Sequence, residues 1–436
     1  MGPPVDPVGS ADTLPASADV VIVGGGIIGL STALFLAREG HSVVVCEKGR
    51  FAGEQSSRNW GWVRRMGRDP RELPLVVEAM RLWGEMERMV GRDVGFRRTG
   101  ILYLCETDAD IARHEAWMAR AGDYAVDTKI ISGAPLADLL PGATRSFKAA
   151  LYTASDGRAE PQKAAPAIAA AAADAGAVLL ADCAVRGIET SGGRISAVVT
   201  ERGTIAAGHV VIAGGIWSSR LCRTLGLRLP QLGVRSSVLR TGPVHGGPLG
   251  AAWGPGFAYR RRLDGGYTIA DGSRSLHDIV PDSFRFLADF LPIWKLEWRS
   301  LGLALGASFF AELRGNSKGV FERTRVLDPE PHVAQLNRTY AALKAVFPVF
   351  QNVPVFQQWA GIIDATPDAV PVISTVASHP GLVIATGFSG HGFGIGPGAG
   401  RLAADLVTGK APIVDPRPFR YERFIDGTRS QPTTGV

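Results

Sequence analysis

The stretch ADVVIVGGGIIGLSTALFLAREGHSVVVCEKG, which begins at Ala18, leaves the chain little choice of fold. Val20–Val23 is a short β-branched run and therefore strand-like. Gly24, Gly26 and Gly29 follow at G-x-G-x-x-G spacing, and Leu30, Ala33, Leu34 and Ala37 then recur at helical intervals up to Arg38. Gly40 stops the helix, and SVVVCE supplies a second strand ending on Glu47, 18 positions beyond the last glycine. Strand, glycine turn, helix and strand within about thirty residues form a βαβ unit, in which each glycine has its own duty. Gly24 permits the tight turn, Gly26 brings backbone against a pyrophosphate, and Gly29 lets helix and sheet approach. Ile27 and Ile28 open the helix, whose N-terminus turns partial positive charge toward phosphates. Glu47 is placed to accept hydrogen bonds from ribose hydroxyls, with Lys48 beside it. The expectation is an α/β protein with a Rossmann-type dinucleotide-binding domain.

A second glycine run, GFSGHGFGIGPGAG, spans Gly387 to Gly400 between a strand-like GLVIAT and a helix-like AGRLAADLVTG. A flexible linker, a functionless turn-rich loop and close backbone approach to a ligand are the competing explanations. Linkers do not join two such elements inside a domain, so close approach leads. The glycines concerned are Gly387, Gly390, Gly392 and Gly394, with His391 and Phe393 between them. The first fingerprint alone fits NAD or FAD. There is no second fingerprint, and GEQSSRNWGW (53–62), GHVVIAGGIWSS and the glycine run together favour FAD as the single cofactor.

These segments, in this order, resemble the D-amino acid oxidase, glycine oxidase and sarcosine oxidase superfamily of flavoproteins, from about Asp19 to Phe424. WAGIIDATPDAVPVIS (Trp359–Ser374) is similar to that family's Trp-x-Gly…Thr-Pro-Asp-Gly-x-Pro element. The resemblance implies a GR2-type FAD-binding domain (19–90, 150–228 and 355–425) interleaved with an α+β substrate-binding domain (91–149 and 229–354). It places Ser56, Ser57, Arg58, Asn59, Trp60 and Gly61 beside the pyrophosphate and flavin, and Ala213, Gly214 and Trp217 in the FAD pocket. Val185 matches the position whose backbone meets the adenine, and Gly387–Gly394 the loop that crosses the pyrimidine end of the flavin. No cysteine lies in Trp359–Ser374, where some relatives attach flavin covalently, so the FAD is expected to be non-covalent.

The implied chemistry is oxidative deamination of an amino acid, L or D, to an imino acid and then a 2-oxo acid and ammonia. Oxygen, giving hydrogen peroxide, or an electron carrier takes the electrons. Oxidation of a secondary amine and a membrane-surface dehydrogenase feeding quinone are the alternatives. Two departures bear on the substrate. Ile363 stands where amino-acid-specific members carry a carboxylate-binding arginine, and Gly394 stands where sarcosine-oxidase-like members carry a lysine. If the substrate has a carboxylate, another arginine must hold it. Arg64 takes that place by resemblance to a sarcosine oxidase segment, with Arg65 as fallback and Arg260, Arg262 and Arg314 behind them. Trp60, Trp62 and Trp359 are candidates for an aromatic wall or for core packing, with Trp359 taken as a catalytic-site residue. His391 is a candidate base or a structural hydrogen-bonder.

Composition excludes more than it assigns. The net charge of +6 comes from scattered arginine groups without a long basic block or a nucleic-acid motif, so nucleic acid is not an expected partner. Cys46, Cys105, Cys183 and Cys222 form no CxxC pair, which argues against a disulfide framework or a metal site. Residues 1–18 are rich in Pro, Ser and Asp and read as a disordered tail without the features of a secretory signal. A cytoplasmic location follows, or one peripheral to the inner membrane through the apolar stretch of Trp294, Trp298 and Phe309–Phe310. A homodimer is compatible with the same stretch.

Overall fold

Period-two burial sets up the first layer. In the computed structural model, which describes residues 2–433 except Val126, Arg274, Arg299 and 306–319, Val20 and Ile22 pack on one face of strand Ser17–Val23 and Val21 on the other. A strand buried on both faces belongs in the middle of a parallel sheet. It pairs in parallel with Val43–Cys46 on one side and Gly203–Ile212 on the other, and Val178–Leu180 and Leu382–Thr386 extend the parallel set. The hairpin Val185–Ser191/Arg194–Thr200 and strand Val372–Thr375 complete eight strands.

Helices Ile27–Arg38, Leu73–Val90, Pro161–Asp174 and Gly392–Thr408 share the core on one face of this sheet. Their close approach explains half of the second glycine run. A Cβ on Gly400 would lie 2.4 Å from Ser31 Cβ, and one on Gly398 3.0 Å from Leu75 O. These glycines let the last helix press against the first and second helices named; they do not meet a ligand. On the other face of the sheet, helix Ser218–Thr224 and Tyr421 pack against the strand side chains.

A second sheet of ten strands lies beside the first. Its centre is Leu232–Thr241, flanked by Tyr267–Ala270, Phe257–Arg261 and Ala251–Gly254, with helix Val333–Val346 over an aromatic core of Phe257, Tyr259, Tyr267, Phe347 and Phe350. Two strands expected with the cofactor segments pair here instead. Ala149–Thr153 lies between Ile101–Cys105 and Thr128–Ile131, and Val355–Ala365 runs antiparallel to Leu232–Thr241. Backbone pairing partners, not chain position, decide this membership.

Residues 2–16, expected to be disordered, lie along the first sheet's layer as an extended strap. Asp6 N donates to Gln162 O and Ala11 N to Leu179 O, while Val5 and Val8 pack against the helical face. Prolines at 3, 4 and 7 suit an extended segment whose side chains still reach apolar surface. Among the described residues, no helix is long and apolar enough to cross a membrane, and no group of three or more His, Cys, Asp or Glu gathers as for a metal. Phe309 and Phe310 lie outside the described residues.

Candidate active site

A cavity of about 640 Å³ opens at the carboxyl ends of the parallel strands and continues under the second sheet. That is where open α/β sheets bind ligands. Gly24 adopts φ +112°, and a Cβ there would sit 2.4 Å from Ala213 O. A Cβ on Gly29 would lie 2.1 Å from Gly24 O, so this glycine sets helix against sheet. At Gly26 a Cβ would meet only Ser56 Oγ, at 3.1 Å, leaving bare backbone on the cavity side. Ser56 Oγ accepts a hydrogen bond from Ile27 N at 2.9 Å, at the helix N-terminus. Glu47 accepts from Gly25 N and Gly49 N, both at 2.8 Å, and burial pushes its carboxyl up to about 7. Val185, Ala213, Gly214 and Trp217 line the same end. Lys48 Nζ lies 4.2 Å over the Trp217 ring and donates to Glu54, Thr324 O and Arg325 O. A bare glycine cradle, a helix N-terminus and a carboxylate at the second strand fit the pyrophosphate and ribose of FAD.

At the other end, Gly387 and Gly390 turn with φ +75° and +82°, and Asp364 fixes the turn by accepting from Gly387 N at 2.7 Å and from Thr386 Oγ1 and Gln231 Nε2 at 3.2 Å. Burial raises the Asp364 carboxyl above its ordinary value. A Cβ on Gly390 would have nothing nearer than Ile363 at 3.7 Å, whereas Gly392 and Gly394 back onto Phe388 Cβ at 2.9 Å and Trp62 O at 3.1 Å. Those two line the cavity with Phe393, and their missing side chains admit neighbouring protein. His391 stands at the N-cap of helix Gly392–Thr408 with its Nδ1 donating to Glu72 at 3.1 Å. Burial, with Arg68 second, pushes its imidazole down to about 4, so it is neutral at physiological pH.

Arg64, Arg58, Asn59 and Trp60 line the cavity. Arg58 is otherwise engaged, donating to Ala360 O and Asp328, and Asn59 spans Gln55 O, Ser56 O and Gly61 N. The Arg64 guanidinium stacks over Tyr103 and Trp62 at 5.5 and 5.9 Å and donates to Met66 O. Trp253 closes this wall, 5.4 Å from Tyr103 and 5.6 Å from Trp60. Other expectations fail on geometry. Trp359 is buried behind the wall, its Nε1 donating to Arg58 O, and does not line the cavity. Ser57 is sealed with its hydroxyl on Glu54 O, and Gly61 turns with φ +78° against Ala159 O and Arg260. Arg65 turns away to Asp156, Asp127 and Ser155, Arg260 pairs with Glu160 and Arg262 with Asp264. Arg314 lies outside the described residues.

Sequence reasoning missed Arg68, Glu72, Tyr103 and Trp253. Arg68 and Glu72 sit in the same arginine-rich segment as Arg64, where nothing local says which side chain turns inward. Tyr103 and Trp253 come from paired strands Ile101–Cys105 and Ala251–Gly254 and carry no motif.

Comparison with known proteins identifies the family. The family described as FAD dependent oxidoreductase (DAO) matches residues 19–406. Glycine oxidase from Pseudomonas putida is 29% identical across 93% of this chain and 99% of its own length. Sarcosine oxidase subunit beta from an Arthrobacter species is 27% identical across 94% and 92%. The structure of L-amino acid deaminase from Proteus myxofaciens in complex with anthranilate superposes with a TM-score of 0.93 at 34% identity, covering 97% of both chains. With its glycine cradle and these relatives, the chain belongs to the DAO family of FAD-dependent oxidoreductases, which act on the C–N bond of amines and amino acids.

Proposed function

We propose that this protein oxidises an L-amino acid with a large apolar or aromatic side chain to the imino acid, which water converts to a 2-oxo acid and ammonia. The observation that carries the reading is the inner wall of the cavity: a cationic guanidinium, Arg64, stacked among Trp60, Trp62, Tyr103 and Trp253 and facing the Gly390 loop. A carboxylate beside aromatic faces is the ligand chemistry such a wall accepts. The likeness to L-amino acid deaminase, whose structure holds an aromatic amino-carboxylate, supports the L hand. Bound FAD supplies a two-electron acceptor for the Cα hydrogen. The protein's own part is placement. Neutral His391, its Nδ1–H committed to Glu72, offers Nε2 as an acceptor to the substrate amine. The N-terminus of helix Gly392–Thr408 turns its positive end toward the flavin site, where it favours negative charge. Aromatic side chains exclude water from the reacting face.

The test is the visible spectrum of the holoenzyme under anaerobic titration with amino acids of both hands. Bleaching by L-phenylalanine or L-leucine, and not by D-enantiomers or sarcosine, is expected. Bleaching by secondary amines alone overturns the reading.

The electron acceptor has two readings, oxygen and a membrane carrier. The second draws on an exposed apolar face with Phe284 at 65% exposure, Leu287 at 56%, Trp294 at 46% and Trp298 at 58%. Peroxide on readmitting air identifies an oxidase. Reoxidation by quinone in lipid vesicles, without peroxide, identifies the carrier-dependent form.

A further inference from the structure

Arg68 is the anomaly of the cavity. It is 3% exposed, it lines the cavity, and among the described residues its Nε and Nη1 have no hydrogen-bond partner. Among the described residues, no carboxylate comes within 4 Å of its guanidinium, although Arg65 three positions earlier is paired with Asp156 and Asp127. A buried cation without a counter-ion is expensive, and such a group is retained where a ligand supplies the missing charge. Burial first and the neighbouring Arg64 second push Arg68 down to about 9, still a cation at neutral pH.

The surrounding carboxylates are already committed elsewhere. Arg64 and Arg68 contribute two positive charges. Glu72, fully buried and committed to His391 Nδ1, contributes one negative charge, and His391 is neutral. Asp156 is engaged by Arg65 N, Met66 N and the Arg65 side chain, so it belongs to the neighbouring pair. Counted together, Arg64, Arg65 and Arg68 are matched in number by Glu72, Asp127 and Asp156, but these carboxylates are committed to His391, Arg65 and backbone N–H groups, and among the described residues none forms an ion pair with Arg68. A substrate carboxylate supplies Arg68 with the direct partner it lacks, whereas an uncharged group does not.

We propose that Arg68 is the anchor of the substrate carboxylate, with Arg64 as its second prong, so that the two guanidiniums form a seat for one monoanionic carboxylate and select amino acids over simple amines. The seat rests on the amino acid reading above but is tested without turnover. Ile363 and Gly394 leave this chain without the two anchors common among its relatives, and Arg68 fills the gap from the loop that leads into helix Leu73–Val90.

The experiment uses the full-length FAD-loaded protein, with benzoate and its uncharged isostere benzamide as probes, read by the flavin absorbance change. Wild type should bind benzoate at least tenfold more tightly than benzamide, the scale of lost charge-assisted hydrogen bonds. Arg68→Met should lose at least tenfold in benzoate affinity and leave benzamide unchanged. Its Tm should hold or rise, because an unpaired buried cation has been removed. Arg68→Lys, which keeps the charge, should recover part of the benzoate affinity and serves as the folded comparison if Arg68→Met misfolds. Equal binding of benzoate and benzamide by wild type overturns the proposal, as does unchanged benzoate affinity in Arg68→Met or in both variants. A fall in Tm with parallel loss of both probes shows a structural role instead and also overturns it. If no amino acid bleaches the flavin yet benzoate still depends on Arg68, the seat stands and the amino acid reading fails.

Discussion

Glu47 offers a quantitative test of how this chain holds FAD. Both of its carboxylate oxygens are engaged by backbone N–H groups, Gly25 N and Gly49 N at 2.8 Å, and burial still raises its pKa to about 7. The FAD-free protein therefore carries a largely protonated Glu47 below pH 7. If Glu47 accepts from the ribose hydroxyls, as the fingerprint implies, it does so in its ionised form, and FAD binding then requires loss of that proton. With a pKa of about 7, the ionised fraction rises about tenfold between pH 6 and pH 8, and FAD affinity should rise by the same factor. The sign for folding is opposite. A carboxyl raised from 4.5 to about 7 makes the FAD-free native state bind more protons than the unfolded chain between those values, so its contribution to stability falls as pH rises through that window. Glu47→Gln should flatten the pH dependence and weaken FAD at pH 8 by about tenfold to a hundredfold. The neutral amide loses the carboxylate's charge toward the ribose hydroxyls, which forfeits a charge-assisted bond to FAD worth about 1.5–3 kcal/mol. The assay is FAD fluorescence quenching on apoprotein across pH 5.5–8.5. A wild-type Kd that does not change with pH, or a Glu47→Gln variant that keeps the wild-type slope, refutes the reasoning.

Acid precipitation should leave FAD in the supernatant, and a yellow pellet would show a covalent bond instead. Gly400→Ala places Cβ 2.4 Å from Ser31 Cβ and 2.8 Å from Thr32 N, so about 1–3 kcal/mol of overpacking should lower the Tm; an unchanged melting curve contradicts this helix contact. Arg64→Ala should raise KM for the amino acid at least tenfold with FAD retained, whereas Arg65→Ala, which breaks the pairs to Asp156 and Asp127, should lower the Tm more than it affects KM. His391 is depressed from 6.5 to about 4, so the protein should lose the stability it contributes as pH falls from 6.5 toward 4. His391→Gln removes that loss; equal acid sensitivity in wild type and variant would show that the imidazole is already protonated at neutral pH.

The fold class, the family and the cofactor were legible in the sequence because the features that specify them are local. A G-x-G-x-x-G turn between a β-branched strand and an amphipathic helix admits few backbone paths, and Gly24 and Gly29 occupy positions where a Cβ would strike backbone oxygen. The substrate half was legible only as a shortlist. Arg64, Arg65 and Arg68 lie within five residues, and their fates separate largely through partners distant in the chain: Asp127 and Asp156 draw Arg65 outward, Tyr103 with nearby Trp62 takes Arg64, and among the described residues Arg68 Nε and Nη1 have no hydrogen-bond partner. Trp359 shows the same limit, since its burial depends on Val238 and Ala270 from other strands. Only the tertiary structure decides such cases. Side-chain direction and charge pairing are settled by which distant strands meet, whereas a positive-φ glycine turn such as that at Gly24 is announced by its own few residues.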